Sequence, residues 1–270
     1  MRRITMSGRK LSALIAFMTI GAVLFGPVPG RAQEIEPAGI RVRPSLGIEH
    51  FSRTISWDEG ASTSTLIVSM AALRVEAEFQ TAGRLGFFAG YGFSNYDGLI
   101  FRQLPFSLEY QAGNIGSLIW GADLEGRILS LGDYEIGIAA QFTMSLGRTK
   151  EFAIPGLNAS GSLDGKGSWS RILAGPVIRY TGYEKFTPFF SVSYNRMWGT
   201  FTMNESIGEL SGFEEKKIAG KGSIGFTIGT VYEPSAAFKL KAEITAVPFK
   251  KLEGGLDTDY GASIKAIVSF

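Results

Sequence analysis

Alternation of apolar and polar residues with a period of two is the feature that most limits how this chain can fold. From Tyr134 to Leu146 every second residue is apolar, and the residues between them are polar or small. Successive side chains of a β-strand point to opposite faces, so the segment predicts a strand with one apolar face. The same pattern predicts ten strands, near residues 40–51, 65–80, 85–94, 117–129, 134–148, 168–181, 186–202, 218–232, 238–247 and 259–270.

Charged residues fall almost entirely on the face opposite the apolar row. Arg196, beside Trp198, is the main exception. The charges found on that opposite face are Arg41, Arg43, Glu49, Arg74, Glu76, Glu78, Asp123, Glu125, Arg127, Glu135, Arg171, Arg179, Lys221, Glu233, Lys239, Lys241, Glu243 and Lys265. A soluble sandwich or barrel has charges outside. The segregation therefore predicts a transmembrane antiparallel up-and-down β-barrel with lipid on the apolar face and a charged lumen. An aromatic girdle is predicted at the outer ends of the strands, where Trp120, Trp169 and Trp198 lie.

The lengths of the connections agree with a barrel whose N-terminus and C-terminus lie on the same side of the membrane. Short turns alternate with longer loops, the longest being 95–116 and 149–167. Within the first of these, residues 99–111 are apolar enough to form a strand, and we expect a hairpin extension or a flap over the mouth. Ten strands give the even number that such barrels have, and twelve or eight strands are the alternatives.

The N-terminus predicts a cleaved secretory signal. A basic segment ending at Lys10 precedes an apolar run from Leu11 to Phe25, which is shorter than the roughly 20 residues that span a bilayer. Small residues at Gly30 and Ala32 predict cleavage after Ala32. We therefore expect a signal peptide over residues 1–32, a short periplasmic segment over 33–39 and one barrel domain over 40–270.

Removing the signal changes the charge of the chain and excludes several classes of function. Five of the 27 Lys and Arg residues precede residue 33, which leaves 22 bases against 25 acids, a net charge of −3. A nucleic-acid partner is therefore not expected. The chain has no Cys, and its one Gly-rich motif, Gly220–Gly225, leads into a predicted strand instead of a helix. We expect neither a metal site nor a cofactor.

The last eleven residues, from Tyr260 to Phe270, alternate in the same way and end on an aromatic residue. They resemble the closing strand of bacterial outer-membrane β-barrels, whose terminal Phe is part of the signal that the barrel-assembly machinery reads. The resemblance implies an outer-membrane location, contact with outer-membrane lipid and lipopolysaccharide, and folding by that machinery. It places the chain in the broad class of small OmpA- or OmpX-like and porin-like barrels.

A barrel of about ten strands has a narrow lumen, because roughly eight strands are just filled by their side chains. The predicted lumen charges nearly balance, with ten bases and eight acids. We therefore expect an ion-pair network that largely plugs the interior, and a structural or surface-interaction role with an extracellular ligand at loops 95–116 and 149–167. A narrow selective pore is the alternative.

The only histidine, His50, offers a second alternative. His50 and Ser52 lie two apart on a predicted strand and share the lipid-facing side, where an imidazole could activate the hydroxyl for acyl transfer. The pair resembles the His-x-Ser pair of outer-membrane phospholipase and lipid A deacylase barrels, which implies an acyl hydrolase, although the flanking residues differ. Ten-stranded omptin proteases need acidic pairs and an Asp-His element, which His50 lacks. An interfacial histidine without catalysis is the simpler interpretation, and we expect no enzymatic activity.

Overall fold

The computed structural model describes residues 40–58, 62–79, 83–97, 99–101, 104, 108–110, 113–152, 161–220, 222–250 and 256–268. The signal peptide, the segment 33–39, Lys221 and the terminal Phe270 lie outside the described residues, so what the sequence indicates for them stays a prediction.

The described residues are almost entirely β-strand. The strands are β1 (Ile40–Trp57), β2 (Ser62–Phe79), β3 (Gly83–Asp97), β4 (Leu99–Phe101), β5 (Leu108–Tyr110), β6 (Asn114–Leu131), β7 (Tyr134–Gly147), β8 (Lys150–Phe152), β9 (Gly161–Tyr180), β10 (Phe186–Ile207), β11 (Leu210–Ala219), β12 (Ser223–Ser235), β13 (Phe238–Lys250) and β14 (Leu256–Val268).

Ten of these strands form a closed antiparallel ring. Its order is β1, β2, β3, β6, β7, β9, β10, β12, β13 and β14. β14 returns to β1, from Ser45 opposite Ile267 to Phe51 opposite Gly261. The predicted fold, an up-and-down β-barrel of ten strands, is confirmed. We call the end with the short turns, where β1 begins and β14 ends, the lower end.

At the upper end the strands run further than the sequence pattern predicts. β1 continues to Trp57 and β10 to Ile207, so much of the predicted loops 52–64 and 203–217 is strand. The predicted strand 218–232 is wrong at its start, because β11 is a separate strand and β12 begins at Ser223. Together with β8, β11 extends the ring to a sheet of twelve strands, while β4 and β5 form a separate pair in the second loop.

β11 also narrows the upper end of the barrel. β10 pairs with β12 as far as Asn195 opposite Ser223, and from Gly199 onward it pairs with β11 instead. β11 then reaches β1 directly, with Ser56 opposite Ala219 and Trp57 opposite Ile218. In the upper wall, β11 alone therefore connects β10 to β1. Lower down, β12, β13 and β14 lie between those two strands, and they have only 13 residues each.

The polarity of the wall inverts along the barrel axis. In the lower part of β1, outward Val42, Leu46 and Ile48 are exposed and apolar, whereas inward Arg43 is buried. In the upper part the inward residues Ile55 and Trp57 are buried and apolar. The outward positions there are hydroxyl residues, Ser52, Thr54 and Ser56. The apolar belt that suits a membrane therefore ends near His50, and the upper section is built like a soluble barrel.

Candidate functional site: the lumen

Arg84 lies at the centre of the charges in the lower lumen. Its Nη1 is 3.3 Å from Glu76 Oε2, and its Nη2 is 2.9 Å from Glu125 Oε2. Glu76 also accepts a 2.7 Å hydrogen bond from Lys265 Nζ, and Glu125 accepts one from Arg179. Five charged side chains from β2, β3, β6, β9 and β14 therefore meet across the barrel.

Further ion pairs surround this centre. Five of them join different strands: Arg74 to Asp123 at 2.6 Å, Arg43 to Glu78 at 2.8 Å, Lys239 to Glu233 at 2.8 Å, Arg127 to Glu135 at 3.1 Å, and Arg171 to Glu49. The sixth, Lys241 to Glu243 at 2.7 Å, lies within β13. Pairs such as Arg74 with Asp123 and Arg171 with Glu49 are largely removed from bulk water, so each of their charges needs its partner to remain ionised at a tolerable free-energy cost. The lumen is thus crossed by groups of both signs.

Most of the charged residues predicted to line the lumen are brought together in this way. Arg41 is different, since it lies exposed at the lower end of β1. Sequence reasoning missed Arg84, which it placed in a turn, and Arg53, which it placed in a loop. β3 begins earlier and β1 ends later than predicted, and both residues occupy inward positions in the alternation of these strands. Extending the alternation by a few residues would therefore have identified them.

Two cavities lie among these charges. One of about 340 Å³ is at the lower end, lined by residues that include Arg43, Glu78 and Glu135. The other, of about 150 Å³, lies further up and is lined by residues that include Asp123 and Lys265. Both cavities are lined by Arg84, Glu125, Arg179, Val231 and Lys241. They therefore follow one another along the axis.

Above the charges, an apolar cluster fills the lumen, and we call it the cap. Its fully buried members are Trp57, Leu66, Val68, Tyr96, Phe101, Ile115, Ile119, Leu163, Trp169, Phe201 and Met203. Phe201 contacts Tyr96 edge-on with ring centroids 5.0 Å apart, and it contacts Phe101 at 5.8 Å. Side chains from β1, β2, β3, β4, β6, β9 and β10 thus meet in one core above the ion pairs.

The cap contains Trp169 and part of the segment 99–111, which were predicted to lie elsewhere or to form a flap. We expected Trp169 to belong to the outer aromatic girdle, but it points inward, is 1% exposed and donates a 3.0 Å hydrogen bond to Ser94. The predicted hairpin or flap at 99–111 is present in part as β4 and β5, with Leu99 opposite Tyr110. Its residues Phe101 and Leu104 are buried in the cap.

A seam opens in the wall where β1 leaves β14 for β11. The ladder between β1 and β14 ends at Phe51 opposite Gly261. Just above, one Asp259 oxygen accepts hydrogen bonds from the Thr54 backbone N–H at 2.9 Å and from its hydroxyl at 3.0 Å. The other oxygen is 3.3 Å from Arg53 Nη1, and Arg53 also donates to Ser223 of β12. Side chains thus hold the seam where backbone pairing has ended.

His50 is exposed on the outer face, as its parity predicted, but its contact is with Ser69. His50 Nδ1 and Ser69 Oγ are 2.8 Å apart on neighbouring strands. Ser52 lies two residues further along β1, half-buried at the seam. The acyl-hydrolase interpretation of His50 and Ser52 stays a prediction.

Two further observations concern only the part of the chain that the structure describes. It contains no helix long and apolar enough to cross a membrane. Within the same ranges, no group of three or more His, Asp or Glu side chains is placed to hold a metal ion.

A closed antiparallel ring with an apolar outer belt and inward charges defines the class of outer-membrane-type β-barrels. No protein-family model matches the chain, and no curated protein sequence does. Among solved structures, it is similar to the outer-membrane protease OmpT of Escherichia coli, with 12% identity over 89% of this chain and 99% of that one and a TM-score of 0.47.

Other barrels match comparably. The attachment invasion locus protein Ail of Yersinia pestis has 15% identity, covering 86% of this chain and 99% of its own, with a TM-score of 0.33. The COG4313 outer-membrane channel of Pseudomonas putida F1 has 12% identity, covering 90% and 100%, with a TM-score of 0.41. Similarities this low say nothing about activity, and the fold assignment rests on the ring itself.

Proposed function

We propose that this chain is an integral outer-membrane barrel, exported through its N-terminal signal, that is closed along its axis and acts through its upper surface. In this orientation the lower end faces the periplasm and the upper end faces the medium. Outer-membrane lipid and lipopolysaccharide surround the belt, and the barrel-assembly machinery recognises Phe270 during folding. The role is structural or one of surface interaction.

The observation that carries this proposal is the cap. A conducting pore needs a continuous polar path, whereas here the upper lumen is filled by side chains such as Trp57 and Phe201, which are 1% and 0% exposed. The narrow-pore alternative along the axis would require these rings to leave a core in which they contact one another. Ion pairs of both signs below the cap add a second obstruction.

Conductance in planar bilayers tests the closure. The parent protein is expected to give no large, stable openings, with insertion shown independently by the protease resistance of the reconstituted barrel. The double variant Trp57→Ala and Phe201→Ala, which empties the centre of the cap, is the matched comparison and is expected to conduct. Large openings from the parent would contradict the proposal.

The surface role is tested by exchanging residues 153–160 of loop 149–167 for an unrelated segment and measuring adhesion of cells that carry either protein. The exchange leaves residues 161–167 in place, because they belong to β9 and include Leu163 of the cap. Loop 95–116 is less suitable, because Phe101 and Leu104 belong to the cap and their loss would also open the lumen. Unchanged adhesion after the exchange would dismiss residues 153–160 as the contact surface.

A further inference from the structure

The cap closes the barrel along its axis, but the lumen has a second way out through the wall. A third cavity, of about 50 Å³, lies directly at the seam between β1 and β14. Inward residues such as Glu49, Arg53 and Asp259 line it, and so do the outward residues Ser52 and Tyr260. In a strand these two sets point to opposite faces, so the cavity reaches from the lumen into the thickness of the wall.

This seam cavity continues the series of cavities in the lumen. It shares six lining residues with the 150 Å³ cavity: Glu49, Gln141, Leu173, Glu243, Thr245 and Ser263. The 150 Å³ cavity in turn shares lining residues with the cavity at the lower end. The spaces therefore narrow from about 340 to 150 to 50 Å³ on the way from the lower end to the seam.

Asp259 closes this route as a latch. Its side chain, 5% exposed, takes hydrogen bonds from Thr54 and an ion pair from Arg53, at the height where the β1–β14 ladder has stopped. On the lumen side of the latch, Asn195 is buried and its Oδ1 has no hydrogen-bond partner among the described groups. A buried acceptor in this position favours a site that takes up water or a polar solute.

The chemistry of the lining indicates the kind of solute. Around the seam cavity two arginines, Arg53 and Arg171, face three acids, Glu49, Glu243 and Asp259. The lower cavities also carry both signs throughout. A simple anion or cation would meet repulsion along such a path, whereas a small molecule with one group of each sign finds a partner for each.

We propose that the seam between β1 and β14 is a lateral gate, latched by Asp259, for small zwitterionic solutes moving between the lumen and the outer surface just above the apolar belt. This goes beyond the proposed closed barrel, because it concerns a route that bypasses the cap. In the latched state the gate is shut, and the parent protein is expected to take up solute only slowly.

Uptake of labelled glycine into proteoliposomes tests the gate. Asp259→Ala removes the latch and is expected to raise the uptake rate about tenfold or more over the parent, because hydrogen bonds to a charged group hold the closed state. The matched control is Asp257→Ala, which removes the same charge two residues away from an exposed position. It is expected to match the parent.

A covalent lock separates gating from general damage to the barrel. Ser52→Cys and Tyr260→Cys occupy the positions that would pair next if the ladder continued beyond Phe51 and Gly261. The chain has no other Cys, so oxidation or a short bis-maleimide bridges only these two. In the Asp259→Ala background, bridging is expected to return uptake to the parent rate, and reduction of the disulfide is expected to restore the fast rate.

The outcomes distinguish the two proposals. Parental uptake by a folded Asp259→Ala barrel, or fast uptake that bridging leaves unchanged, would overturn the gate. If Asp259→Ala does not fold, Thr54→Val, which removes only the hydroxyl contact, is expected to raise uptake by a smaller factor, and an unchanged rate there also overturns it. Large conductance of the unmodified protein would instead contradict the closed barrel.

Discussion

Phe201 offers the sharpest test of the cap, because another phenylalanine on the same hairpin provides a control. Phe201 on β10 points inward, is 0% exposed and contacts Tyr96 and Phe101. Phe213 on β11 points outward and is 60% exposed. The two substitutions to Ala remove the same atoms from the two sides of one wall.

We expect Phe201→Ala to lower the free energy of unfolding by about 3–5 kcal/mol, the range for truncating a fully buried aromatic ring. The edge-on contact with Tyr96 accounts for about 0.5–1.5 kcal/mol of this loss. Phe213→Ala is expected to change the free energy by less than about 0.5 kcal/mol, as is usual for surface positions.

The measurement is equilibrium unfolding in urea of protein refolded into lipid vesicles, followed by the fluorescence of its four tryptophans. The midpoint is expected to move for Phe201→Ala, while the dependence on denaturant stays the same. Similar losses for the two variants would refute the conclusion that the upper section has a core inside and solvent outside.

Two further substitutions test the lower lumen and the close packing of the strands. Arg84→Met is expected to cost about 3–5 kcal/mol, because it leaves the buried carboxylate of Glu76 and the part-buried one of Glu125 without their central partner. Arg127→Met, at a pair whose arginine is 42% exposed, is expected to cost less than about 1 kcal/mol in the same urea titration; equal losses would contradict a buried network. Gly175→Ala is expected to cost about 1–3 kcal/mol, since its Cβ would overlap the carbonyl oxygen of Val192. Gly47→Ala, where a Cβ has ordinary contacts, is expected to be nearly neutral, and a reversed order would count against the close approach of β9 and β10 at Gly175.

The sequence was sufficient for the membrane-spanning part and insufficient for the part above it. Rows such as Ile136, Ile138 and Phe142 alternate against small and polar residues, so the lower ring follows from periodicity alone. In the upper strands the outward residues are Ser and Thr. A segment without an apolar outer face does not match the pattern of a membrane-spanning strand, so it was predicted to be a loop. The expectation of an apolar outer face also led to the prediction that Trp169 lies in an outer girdle, whereas it is buried in the cap.

The contacts that close the lumen depend on pairing that the sequence does not display. Arg53 and Asp259 are 206 positions apart and meet only because β11 displaces β14 from the upper part of β1. No local pattern indicates that exchange of neighbours. The near balance of acidic and basic residues in the lumen can be counted from the sequence. The central position of Arg84 cannot be predicted in this way, because it depends on the register of four other strands.

The hydroxyl row on the upper strands has a consequence for how the barrel reaches its final position. In the proposed orientation, the upper segments travel through the hydrocarbon layer during insertion to emerge above the belt. On β1 and β2 these segments offer Ser, Thr and apolar side chains, with Arg53 as the one charged residue between Ser52 and Trp57. A hydroxyl is far less costly to desolvate than a charge. The outer faces of these strands therefore combine solubility after arrival with a low barrier to translocation.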